Sequence, residues 1–185
     1  IDISWQGGLK NETFKSRSIK LEQWLPLFNL PNCHFINLQY GEHSKEIQQL
    51  KKNDITLHHW EDSNPLKNMD DFAAQISALD LVISVDNSSV HLAAALGVPT
   101  WVLLPTLPEW RWGIKKQSAL WYASITFFHQ RIAKEWTPVF TEIIERLSDI
   151  QSNDTYLPYL SFYNLPTTIV INPCHNINDL PTTCT

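Results

Sequence analysis

Glycine is scarce in this chain of 185 residues, with five in all. Neither G-x-x-x-x-G-K-[ST] nor G-x-G-x-x-G occurs, so a glycine-rich phosphate loop is excluded. Cysteine is nearly as rare: Cys33, Cys174 and Cys184 are scattered and form no C-x-x-C pair. An odd, dispersed set predicts reduced thiols and a cytoplasmic setting rather than a disulfide framework. Basic residues are outnumbered, 14 against 19 acidic, for a net charge of −5. That balance argues against nucleic acid as a partner, which calls for a basic stripe. No apolar run approaches the ~20 residues of a membrane-spanning helix, and no signal peptide is visible. Metal-ligand spacing is missing too. H-E-x-x-H is absent, and the adjacent His58 and His59 would point to opposite faces of a strand. Lacking an initial Met and opening on a strand-like IDISW, the chain is expected to belong to a longer polypeptide.

What is present is alternation. Strand-like runs are expected at Ile1–Trp5, Phe35–Leu38, Ile55–Trp60, Leu81–Val85, Thr100–Leu104 and Ile125–Phe128. Helical periodicity falls between them and after them, at Ser18–Leu30, His43–Lys52, Asp71–Ala78, Val90–Leu96 and Thr137–Asp149. Such alternation predicts a parallel sheet with helices on both faces. Residues 1–150 are thus expected to form one α/β domain. Residues 151–185, with four of the eleven prolines and many Thr and Asn, read as an appended tail.

The stretch LDLVISVDNSSVHLAAALGVPTWVLLP, Leu79–Pro105, organises the rest. A buried apolar run ends at Asp86, a polar turn follows, and Asn87 or Ser88 can cap a short helix. Gly97 closes that helix and Pro99 prevents its continuation. Ligands of open α/β sheets sit outside the carboxyl ends of the strands, where a helix amino end offers N–H donors to an anion. A nucleotide-type site is therefore expected at Asp86–His91. Asp86 would accept from sugar or ribose hydroxyls, or else serve only as a favourable charge at the helix start. Asn87, Ser88 and Ser89 would meet a diphosphate, or simply cap. His91 lies one turn beyond Asn87 and would face the same cleft, or be bonded into the core. Gly7 and Gly8 follow the first strand and permit close backbone approach. Arg17 closes a basic loop at the same edge, where a cation would stabilise a departing diphosphate without metal. Glu42 and Gln39 follow the second strand, and Glu42 could hold a ribose. Trp110 and Arg111, in the segment Trp110-Arg111-Trp112, could stack on a base, with Arg111 held between the two indoles, or plug a long loop.

The run DNSSVHLAAALGVP resembles the D-[ST]-G-x-x-H-L-A-A-A-L-G-x-P pattern of bacterial heptosyltransferase-like glycosyltransferases, the family 9 type. Asp86, His91, Leu92–Gly97 and Pro99 match it. Ser4–Gly8, Arg17–Ile19, Leu38–Gly41, Asp71–Ala73 and Glu109–Trp112 further resemble the branch often fused to tetratricopeptide repeats. The likeness covers about residues 1–147. It implies the carboxyl-terminal, Rossmann-like half of a two-domain GT-B enzyme, which holds a nucleoside diphosphate sugar. The amino-terminal half would hold the acceptor and the general base, and the resemblance assigns no catalytic residue in this chain. By this resemblance Asp86 meets the sugar, and Asn87, Ser88 and His91 the diphosphate region. Arg17 is the phosphate-facing cation and Glu42 approaches the ribose. No cofactor or metal is implied. The alternative is a non-catalytic nucleotide-binding or scaffold module on the same fold.

Overall fold

The computed structural model describes residues 1–7, 16–41, 43–60, 64–113 and 119–152. Six strands form one sheet: β1 (Asp2–Ser4), β2 (Phe35–Asn37), β3 (Leu57–His58), β4 (Val82–Val85), β5 (Thr100–Leu104) and β6 (Ile125–His129). All pairings are parallel, and the order across the sheet is β3-β2-β1-β4-β5-β6. This is a Rossmann-like arrangement. Strands β4 and β5 are mostly apolar because both faces are covered: every residue of each is buried, Ser84 and Thr100 included.

Helices α1 (Leu25–Phe28), α2 (Ser44–Lys51) and α5 (Thr137–Ser152) lie on one face. Their Leu27, Leu50, Phe140 and Ile143 pack with Ile3, Trp5, Ile83 and Trp101 of the sheet. Helices α3 (Met69–Ser77) and α4 (Ser88–Ala95) cover the other face. There Phe72, Ile76 and Ala93 meet Val82, while Val90 and Ala94 meet Val102 and Leu104.

The first expected helix, Ser18–Leu30, is broken. A 3-10 turn at Leu21–Trp24 hands over to α1, which carries Pro26 at its start. Pro lacks an N–H and is tolerated only in a first turn, so it restarts the helix rather than extending one. Helix α4 begins at Ser88, two residues before expectation, with Asn87 as its cap. Gly97 does close it, in the left-handed region at φ 79°. Helix α5 runs past the expected boundary at 150, through Ser152, and the tail from 153 onward lies outside the described residues. Among the described residues no helix is long and apolar enough to cross a membrane.

Candidate functional site

Strand order reverses between β1 and β4: the chain runs outward to β3 on one side and to β6 on the other. Ligands of open α/β sheets bind outside the carboxyl ends of the strands at such a reversal. Out of β1 come Gln6 and Gly7; out of β4 come Asp86, Asn87 and α4.

Two side chains tie these ends together. The Gln39 amide oxygen accepts from the backbone N–H of Trp5 (3.1 Å) and Gln6 (2.8 Å) and from Ser4 Oγ (3.0 Å). Asn87 Oδ1 accepts from the N–H of Ser89 (3.0 Å) and Val90 (3.4 Å). Its Nδ2 donates to Ser4 Oγ (2.7 Å) and to the Gln6 carbonyl (3.2 Å). Both residues are thus fasteners: the side chains of Gln39 and Asn87 bond to the backbone and to Ser4 at the ends of β1 and β4. By helix geometry, the N–H groups of Asn87 and Ser88 have no partner within α4. Ser88 is exposed. The Ser89 hydroxyl is buried, with no hydrogen-bond partner among the described residues.

Gly7 is where the two ends nearly touch. A Cβ there would lie 2.7 Å from the Asp86 carbonyl oxygen and 3.0 Å from Arg17 Cδ. Only glycine permits that approach.

Above this floor runs a chain of charges. Arg17 Nη1 donates to Asp86 Oδ2 (3.3 Å) and to Glu109 Oε1 (2.7 Å). Arg111 Nη2 donates to the other Glu109 oxygen. Asp86 is the deepest, with 3% of its side chain exposed; Arg17 has 13% and Glu109 25%. The two carboxylates and two guanidiniums cancel formally. Arg17 Nε and Arg111 Nε are buried with no hydrogen-bond partner among the described residues.

His91 stacks on Trp112 (centroids 4.8 Å apart, 16° between planes) and meets the edge of Tyr122 at 5.9 Å. Burial lowers its pKa; Asp86 pulls it back up, Arg111 pushes it down and Glu109 raises it. The ring is therefore neutral near pH 7 and can donate from one nitrogen only. Trp112 is buried, whereas Trp110 is 76% exposed. Arg111 lies over Trp110 alone, at 5.9 Å from its centroid, so the expected sandwich between two indoles does not form. One indole packs and the other is free to stack on a ligand.

The structure thus brings Gly7, Arg17, Asp86, Asn87, Ser88, His91, Trp110 and Arg111 to one edge of the sheet. Gly8 and Glu42 lie outside the described residues. Glu109 was missed as a site residue, although it stands beside the WRW segment. Its role rests on two ion pairs, one of them to a residue 92 positions away, and no local pattern announces that. Among the described residues no group of His, Cys, Asp or Glu is placed to hold a metal.

No protein-family model matches the chain, and no solved structure matches it. One curated protein does: the chain is similar to "Protein FlbA" of Caulobacter vibrioides, at 31% identity over 132 residues. The match takes in 70% of this chain but only 22% of that protein. The chain therefore spans about a fifth of the length of its curated relative.

Proposed function

We propose that the chain is the donor-binding part of a metal-independent GT-B glycosyltransferase, moving a sugar from a nucleoside diphosphate sugar to an acceptor. The observation that carries this reading is the convergence of Arg17, Asp86 and Arg111 from three distant segments at the carboxyl ends of β1 and β4. Resemblance of the Asp86–Pro99 run to the heptosyltransferase-like pattern supports it, and so does the exposed Trp110 beside Arg111.

In the proposed reaction an acceptor oxygen attacks the anomeric carbon, and the bond from that carbon to the diphosphate breaks. Negative charge builds on the diphosphate as it leaves. Arg17 and the N–H groups of Asn87 and Ser88 face that charge, which is electrostatic preorganisation. Asp86 accepts from sugar hydroxyls, His91 donates as a neutral ring, and Trp110 stacks on the base. The general base belongs to a separate acceptor-binding half.

Titration calorimetry of the chain with UDP, GDP and ADP tests this. One nucleotide should bind, and Arg17→Ala or His91→Ala should weaken it by at least tenfold, the loss of a charged or well-placed hydrogen bond. Indifference of binding to both substitutions overturns the placement. The second reading is a non-catalytic module. It is favoured by the pairing of the four charges with one another and by the internal bonds of the Asn87 side chain. That reading predicts that no nucleotide shifts the melting temperature even at millimolar concentration.

A further inference from the structure

Resting on the donor-site reading, we propose that Glu109 is a built-in stand-in for the ligand's diphosphate: its carboxylate holds the two arginines in place and gives way when the ligand binds. The two oxygens of Glu109 are divided between Arg17 (2.7 Å) and Arg111. A carboxylate and a phosphate present the same fork to guanidinium groups. Two arginines 94 positions apart in sequence that meet on one carboxylate are therefore placed for a bridging phosphate as well.

The order of burial says which carboxylate yields. Asp86 is nearly sealed at the end of β4, while Glu109 is the outer partner, a quarter exposed. Apart from the two arginines, no partner of the Glu109 side chain is found among the described residues. Glu109 precedes the 3-10 turn Trp110–Trp112, yet its side chain makes no capping bond to that turn. Its departure leaves Arg17 on Asp86, and Arg111 against the face of Trp110. The cluster then changes from neutral to a single positive charge, facing a ligand that carries the opposite sign.

A competing group of this kind reduces ligand affinity by the fraction of time it occupies the site. Glu109→Gln keeps the shape and removes the charge. Calorimetry on the full chain with the three nucleoside diphosphates, and with inorganic pyrophosphate as a base-free probe, reads the effect. The variant should bind on the order of tenfold tighter than the parent. Adding Arg17→Gln to it should abolish the gain. Equal or weaker binding by the variant overturns the inference while leaving the donor reading intact if the parent binds nucleotide. Tighter pyrophosphate binding in the variant, with no nucleotide bound by either protein, supports the stand-in and overturns the donor reading. No binding of any probe to either protein overturns both. Should Glu109→Gln not fold, as judged by its melting curve, Glu109→Ala carries the same comparison.

Discussion

Asp2 lies in the first turn-free residues of β1 with both carboxylate oxygens buried and unpartnered. Burial pushes its pKa up to about 7. The unfolded chain gives up this proton near the ordinary carboxylate value of about 3.9. The folded chain therefore binds the extra proton between the two values, and stability falls as pH rises from about 4 to about 7. Above that window the loss is complete, at roughly 4 kcal/mol. Asp2→Asn should flatten this slope and leave the variant more stable than the parent at pH 8, as read by urea midpoints. None of this was legible in IDISW, which shows an acid in a strand but not what covers it. Asp86 is the contrasting case. Its place at the end of a buried run was plain from spacing, and only its partners Arg17 and, through Arg17, Glu109 were hidden.

At the scale of elements, the sequence admitted either Asn87 or Ser88 as the cap of α4. The structure selects Asn87 for a reason no local pattern contains. Its side chain caps the helix with one end and fastens the β1 exit with the other. Asn87→Ala removes both, and should lower stability by about 2–3 kcal/mol, a lost cap plus buried hydrogen bonds. Denaturant titration checks this, and ligand affinity should fall with it because Gln6 and Gly7 lose their tether. Helices read well from periodicity where one face is apolar throughout, as at α5, whose Val139, Phe140, Ile143 and Leu147 are all buried. Reading failed at Ser18–Leu30, where the apolar spacing continues across Pro26 but the hydrogen-bond ladder does not. In the Trp110–Trp112 segment, aromatic content signalled contact of some kind. The indole that packs, Trp112, does so on His91, 21 residues upstream.

For the whole molecule, alternation of apolar runs was enough to state a parallel sheet covered on both faces. The order of its strands was not, because pairing of β1 with β4 depends on contacts far apart in sequence. In the largest of the three hydrophobic clusters Trp24, fully buried, meets Phe140 edge to face at 5.2 Å and joins the 3-10 turn before α1 to α5. Trp24→Ala should cost about 3–5 kcal/mol and lower the unfolding midpoint in one transition, without touching a site residue. The long separation behind the central pairing has its own effect during synthesis. Asp2 pairs with Val82, so about eighty residues must leave the ribosome before the middle strand gains its second neighbour. Until then a nascent chain presents one bare backbone edge, the kind of surface that recruits other extended segments. Slow translation across α3 would lengthen that interval, and a holding chaperone would have its clearest task there.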